Sequence, residues 1–343
     1  MLTVHSEAHK LRDSKTELFG GELVYPHERP SRVQYVLDRI AETGLGEVRA
    51  PNDYGMEPIL RVHDAAFVEF LRTAWDEWTR TGFKGEAMPI CWPARRMVLK
   101  IPDYIEGRLG YYALSSETSI SPGTWEASLA AANVALTGAE VIGSGEHAVF
   151  SLCRPPGHHA ARDMYGGYCF LNNAAIAAQY YLDHGAERVA VLDVDFHHGN
   201  GTQDIFYERG DVVYLSLHGD PREAFPHFLG YADETGQGEG AGCNFNYPMA
   251  PGTGYDKWGD ALGDAIANIR KFGAEVLVLS LGVDAFENDP ISFFKLTSDD
   301  YTTCGAAVAG LGIPTHFVME GGYDIEEIGI NTVNVLQGFE KAY

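Results

Sequence analysis

RVAVLDVDFHHGNG, residues Arg188–Gly201, reads as a buried strand that runs directly into a cluster of metal-binding and proton-handling side chains. Arg188–Val194 is a near-continuous apolar run. Such runs are buried on both faces, as in a parallel sheet covered by helices. The same kind of run recurs at Ala148–Leu152, Val212–Leu217, Glu275–Leu281 and Pro314–Met319. Between and around them lie stretches rich in Ala, Leu and Ile: Glu126–Ile142, Asn172–His184, Tyr255–Phe272 and Asp299–Leu311. Strands alternating with helices predict an α/β fold with a central, mostly parallel sheet flanked by helices on both faces. Residues 1–343 are expected to form a single domain, the first roughly 50 adding a peripheral strand and helix.

Thr81–Thr124 breaks this rhythm. It carries Gly82, Gly85, Pro89, Pro93, Pro102, Pro122 and Gly123 together with Trp92, Tyr104, Tyr111 and Tyr112. Long loops inside α/β domains serve as lids or contact surfaces, or pack on themselves as surface excursions.

Composition narrows the function. Apolar residues make up 45% and charged residues 21% of the chain, which excludes a disordered, collagen-like or coiled-coil protein. Lys and Arg number 25 against 48 Asp and Glu, a net charge of 25 − 48 = −23. That field repels a phosphate backbone, so no nucleic-acid partner is expected, whereas a small cationic substrate is attracted. No run approaches a membrane span and the N-terminal residues lack a signal-peptide pattern, so no membrane is expected. Five cysteines (Cys91, Cys153, Cys169, Cys243 and Cys304) with no CxxC pair fit a reducing, cytoplasmic setting.

The polar residues sit where strands end, the place where ligands collect in open parallel sheets. Arg188–Val194 leads to Asp193, Asp195, His197, His198 and Asn200. Glu275–Leu281 leads to Asp284, Ala148–Leu152 to His158 and His159, and Pro314–Met319 to Glu320 and Tyr323. Asp195 and His197, separated by one residue, lie on one side of an extended segment. With Asp284 they make a three-ligand O/N/O set that leaves a position for water, the catalytic arrangement. Zn²⁺ is the expected ion, and an O-rich set also suits Fe²⁺, Co²⁺ or Mn²⁺. Adjacent histidines diverge, so His158 and His159 read as acid–base groups beside the metal. Tyr323, after Gly321 and Gly322, reads as a phenol able to stabilise a polarised carbonyl. Each of these residues alone has a bland structural reading, and the combination is what points to a site.

The chain resembles the histone deacetylase superfamily, which shares its fold with arginase. The resemblance rests on RPPGHHA (Arg154–Ala160), GGYCFLNNAA (Gly166–Ala175), LDVDFHHGNGTQ (Leu192–Gln203), YLSLHGD (Tyr214–Asp220), LGVDAF (Leu281–Phe286) and MEGGY (Met319–Tyr323). Within it the chain is most similar to bacterial acetylpolyamine amidohydrolases, through KTELFGGELV (Lys15–Val24), IPDYIEGRLGYY (Ile101–Tyr112), SPGTWEA (Ser121–Ala127) and DPISFFKLT (Asp289–Thr297).

The resemblance implies roles. Asp195, His197 and Asp284 match zinc ligands, and Fe²⁺ is the alternative in-cell ion. His159 matches the general base, His158 its charge-stabilising partner, Asp193 the carboxylate that orients His158, and Tyr323 the oxyanion-stabilising phenol. Asn200 stands where many members carry Asp. An amide holds neither a proton nor a full charge, so a less basic His159 is expected. Tyr168 and Phe225 match walls of the acyl tunnel, and the Gly167 carbonyl an acceptor for the scissile N–H. A structural K⁺ is implied at Asp193, Asp195, His197, Ser216 and Leu217. Glu106 and Glu117 match acidic residues near a polyamine substrate. The 81–124 insertion matches one that forms a homodimer and narrows the entrance.

These roles imply a zinc-dependent deacetylase that releases acetate and a free amine from small acetylated polyamines or diamines. Protein lysine deacetylation is the alternative. An arginase-like site with two Mn²⁺ would need a further ligand two residues after His197, where this chain has Gly199. A non-enzymatic acyl-amine binder would have no use for a general base.

Overall fold

The computed structural model describes residues 1–343. The chain opens with β1 (Leu2–Val4), a small antiparallel hairpin of β2 (Glu17–Phe19) and β3 (Glu22–Val24), α1 (Ser31–Thr43) and β4 (Val48–Arg49). Then come α2 (Glu57–Leu60), α3 (Ala65–Arg80), α4 (Ile105–Tyr112) and α5 (Thr124–Gly143). The remainder alternates β5 (Ala148–Ser151), α6 (Asn173–Asp183), β6 (Val189–Asp193), α7 (Asn200–Phe206), β7 (Val212–Gly219) and β8 (Asn244–Met249). It closes with α8 (Tyr255–Phe272), β9 (Val276–Leu281), α9 (Ser298–Ala309), β10 (Thr315–Met319) and α10 (Ile328–Ala342).

Eight strands form one parallel sheet in the order β4-β1-β5-β10-β9-β6-β7-β8. The sheet is buried on both faces, and the strands divide between them residue by residue. Val189, Val191, Val276 and Val278 join a core with α3, α5 and α6. Ala190, Leu192, Leu277 and Leu279 join a second core with α1, α8, α9 and α10. A period of two, apolar at every position, is what two helical layers demand of a strand.

The expected α/β architecture is present, and the five expected strands all form. β1 is less peripheral than expected. It pairs on one side with β4 and on the other with β5, and Val4 is fully buried. A buried ion network ties the N-terminal segment down. Glu28 accepts from Arg154 Nε at 2.7 Å and Arg32 Nη1 at 3.1 Å, and Arg154 Nη1 donates to the carbonyls of His9 and Arg12.

Local chemistry sets the helix ends. Asp64 Oδ1 accepts from Ala66 N at 2.8 Å to start α3, and Asn172 Oδ1 accepts from Ala175 N at 2.9 Å to start α6. The excursion at 81–124 contains α4 and is pinned by Glu86, whose carboxylate accepts from Lys15 N, Thr16 Oγ1 and Ser119 Oγ. Ile90, Trp92, Met97, Val98, Leu99, Ile101 and Tyr104 within it are exposed. All five cysteines are free thiols, and Cys153 and Cys169 are buried.

The topology positions the site. The four strands whose ends carry the chemistry, β5, β10, β9 and β6, are neighbours at the centre of the sheet. Motifs separated by as many as 163 residues in sequence therefore converge on one edge.

Phe150, fully buried on central strand β5, tests this packing. Phe150→Ala is expected to lower unfolding free energy by about 3–5 kcal/mol. Phe228→Ala, at an exposed residue, should stay within about 0.5 kcal/mol. Urea unfolding of both variants is the measurement. A small loss at Phe150 would contradict the two-layer core.

Candidate active site

Past the end of β6 the backbone turns tightly around its own carboxylates. Asp193 Oδ1 accepts from Asp195 N at 3.1 Å, and Asp195 Oδ1 from His197 N at 2.9 Å. Asp284, beyond β9, accepts from Phe196 N at 2.7 Å, and Asp195 Oδ2 from Gly321 N at 2.8 Å. These bonds bring three buried donors together. His197 Nδ1 lies 3.3 Å from Asp195 Oδ1 and 2.9 Å from Asp284 Oδ2, and the three donor atoms fall within 4.8 Å of one another.

This set fits a cation. Burial disfavours a His197 cation, yet Asp195 and Asp284 win and push its pKa up to about 10. Asp284 is raised to about 8 by burial and by the charge of Asp195. The trio thus binds a proton against its own burial, and a divalent ion would replace that proton. Space is kept for it. A Cβ on Gly321 would sit 2.5 Å from Asp195 Oδ2 and 2.6 Å from Asp284 Oδ2, and one on Gly282 would sit 2.1 Å from Asp195 Oδ2. A second metal does not fit in the arginase manner. Its ligand would replace Gly199, where a Cβ would meet Asp193 Oδ2 at 2.2 Å.

The histidine pair is split by its surroundings. His158 Nδ1 is 3.0 Å from Asp193 Oδ2 and its Nε2 is 3.8 Å from Asp195 Oδ1. Burial opposes its charge, but these two aspartates raise its pKa well above the ordinary histidine value. His159 Nδ1 is 2.7 Å from Asn200 Oδ1, an acceptor, so Nδ1 carries the proton and Nε2 the lone pair. His159 is held well below the usual value by burial first, then by the charges of His158 and His197. The Asn200 bond acts the other way, in favour of the protonated ring. Two imidazoles pushed apart in this manner are an acid and a base in waiting.

Tyr323 is buried, and that burial raises its phenol well above the ordinary value, so it remains a donor. Its backbone N–H donates to Asp289 Oδ2 at 2.7 Å. Arg32 lies over its ring at 4.8 Å and donates to the Gly322 and Glu320 carbonyls at 2.7 and 2.6 Å.

A cavity of about 470 Å³ opens from this centre. His159, His197 and Tyr323 line it, together with Gly167, Tyr168 and Phe225, the residues expected to do so. Phe225 meets His159 edge-on at 5.0 Å, and Tyr168 packs on Tyr323 at 5.5 Å. Tyr168 is held in the left-handed region at φ +66°, with its N–H on Thr118 Oγ1 and its hydroxyl on Glu17 Oε1 at 2.7 Å.

Of the two glutamates, the structure brings Glu117 to the cavity but not Glu106. Glu106 lies in the first turn of α4, whose Ile105, Leu109 and Tyr112 are buried, and it does not line the cavity. Glu117 Oε1 accepts from Gly167 N at 3.0 Å and Thr118 Oγ1 at 3.1 Å, while Oε2 takes none of these bonds. Of the expected potassium positions, Asp193 stands opposite Ser216 with Leu217 next along β7.

Sequence reasoning missed Glu17, Glu223 and His227, which line the cavity, and Asp289 and Arg32, which hold the Tyr323 turn. The one available signal for Glu17 was its place beside a Gly-Gly turn in an apolar hairpin. An apo sample is expected to take up one Zn²⁺ per chain in a competition titration. Gly321→Ala, which keeps all three donors, should weaken that uptake about 10–100-fold. Equal affinity in both would contradict the glycine cradle.

Comparison with known proteins gives the following. The family model described as "Histone deacetylase domain" matches residues 26–339. The chain is 60% identical over 338 residues to an acetylpolyamine amidohydrolase of Mycoplana ramosa, covering 98% of this chain and 99% of that one. It is 58% identical over 343 residues to acetylpolyamine amidohydrolase 2 of Pseudomonas aeruginosa, covering 100% of both. The crystal structure of an acetylpolyamine aminohydrolase from Burkholderia pseudomallei superposes with a TM-score of 0.95 at 38% identity, covering 100% of this chain and 99% of that one.

Proposed function

This chain belongs to the histone deacetylase family and is an enzyme acting on amides, and from that premise we propose that it hydrolyses small acetylated polyamines or diamines to acetate and the free amine. The cavity lining carries this reading. Glu17, Glu117 and Glu223 face the cavity, and no Lys or Arg does. The acetamide end of such a substrate is uncharged and short enough to reach His159 and Tyr323. Its far end carries ammonium groups, which carboxylates in a low-dielectric channel attract.

A zinc ion bound by Asp195, His197 and Asp284 would supply Lewis acidity toward the carbonyl and acidify a water. The chain's own groups do the rest. His159 Nε2 takes a proton from the attacking water and later gives it to the departing nitrogen. His158, held cationic by Asp193 and Asp195, stays protonated throughout. The Tyr323 hydroxyl donates to the carbonyl oxygen as charge develops there. The Gly167 carbonyl, which accepts from Cys169 Sγ at 3.2 Å, keeps a second lone pair for the substrate N–H. A structural K⁺ held by main-chain carbonyls of Asp193, Asp195, His197, Ser216 and Leu217 belongs to the same proposal, as does Fe²⁺ as the in-cell alternative to zinc.

The exposed apolar stretch around Met97 and Val98 is proposed as a homodimer contact that narrows the entrance. Met97→Asp with Val98→Asp is expected to shift the sedimenting species from dimer to monomer. A monomeric wild type would end that part of the reading.

Substrate preference is tested by a pair of amides of equal length, acetylputrescine and uncharged N-pentylacetamide. Glu117→Gln is expected to lower kcat/KM about 10–100-fold for the first and hardly at all for the second, the cost of a lost charged partner. Equal effects on both would contradict charge recognition. Tyr323→Phe should abolish nearly all turnover of either while leaving zinc content unchanged.

A further inference from the structure

Glu320 takes no part in the chemistry described above, yet it is fully buried at the centre of the site. It follows the last residue of β10, and its N–H extends the pairing with β9 by donating to the Leu281 carbonyl at 3.0 Å. Its side chain then crosses to the loop after β5. There Oε2 accepts from Gly157 N at 2.7 Å and from His158 N at 3.1 Å. Oε1 lies 3.3 Å from Ser280 Oγ.

Its main chain continues into the other half of the site. The Glu320 carbonyl accepts from Arg32, Gly321 N donates to Asp195, and Tyr323 N donates to Asp289. One residue therefore touches both turns on which the reaction depends, through its side chain on one and its backbone on the other. A single carboxyl oxygen shared by two N–H groups fixes both amides directionally. The Gly157 and His158 amides have no other main-chain or side-chain acceptor within hydrogen-bond range.

We propose that Glu320 is a positioning residue that locks the His158–His159 turn to the Tyr323 turn, fixing the base and the phenol relative to one another. This rests on the hydrolase reading of the site. Truncating Glu320 frees the histidine turn without touching the substrate cavity, whose lining excludes Glu320. The loss should therefore fall on kcat and spare KM.

Three variants on the zinc-loaded full chain test it. Glu320→Gln keeps an oxygen for the two amides and removes the charge. Glu320→Asp keeps the charge and retracts the oxygens. Glu320→Ala removes both. With acetylputrescine the expected order of kcat is wild type, then Gln, then Asp and Ala together. The last two should lie about 100-fold below wild type with KM within about threefold, as for a misplacement of about 1 Å. Should the Ala variant fail to fold, the Gln-against-Asp order decides alone. Asp matching or exceeding Gln would overturn the proposal, as would losses confined to melting temperature. A second readout is independent of turnover. The downfield proton signals of His158 and His159 Nδ1–H, bonded to Asp193 and Asn200, should persist in Gln and broaden in Asp. If the wild type hydrolyses no acetylated amine, the hydrolase reading falls while this signal still decides the role of Glu320. Unchanged signals in Asp would refute it.

Discussion

Five carboxylates, Asp193, Asp195, Asp284, Asp289 and Glu320, are buried at the carboxyl edge of one parallel sheet. Burying that much negative charge is prohibitive unless each oxygen is met by a donor or a cation. The chain meets it largely with its own backbone. N–H groups of Asp195, His197, Phe196, Gly321, Tyr323, Gly157 and His158 all point into these carboxylates. Every turn at the site is therefore wrapped around an acid. The geometry of His159, Tyr323 and the metal position follows from that wrapping. What the amides do not neutralise falls on His158 and on His197, and a cation at Asp195, His197 and Asp284 would take the rest.

The same constraint separates the labels of the two histidines. His158 sits on the acidic side and keeps its proton. His159 faces an amide oxygen and the neighbouring imidazoles, and so keeps a lone pair. The proposed division of labour depends on a difference of environment across two adjacent residues, and a single parallel sheet supplies it because β5 and β6 approach from either side of β9 and β10.

Much of this was legible in the sequence because it is local. Strands buried on both faces have to be apolar throughout, so β5, β6, β7, β9 and β10 stand out. Asp195 and His197 share a face by spacing alone, and Asp284 follows from the strand-end rule. β8, with its sequence NFNYPM, did not stand out, since an edge strand alternates buried and half-buried positions and tolerates Asn and Pro. α10 and α3 were missed because no neighbouring strand run frames them on both sides. Glu17, Glu223, Asp289 and Arg32 reach the site from the small hairpin, from loops or from the first helix, through contacts as distant as 290 residues in sequence. No periodicity records such contacts. Glu106 shows the converse. A glutamate in a motif is not thereby at the cavity, because the packing of α4 decides where it lies.

The central claim is that the negative channel selects a small cationic amide in preference to a protein side chain. The direct measurement is kcat/KM of the zinc-loaded chain for acetylputrescine, acetylcadaverine and acetylspermidine against an acetyl-lysine peptide. The account predicts that at least one free acetylated polyamine exceeds the peptide by about tenfold or more, as one charged hydrogen bond would supply. Equal or greater efficiency on the peptide would contradict it.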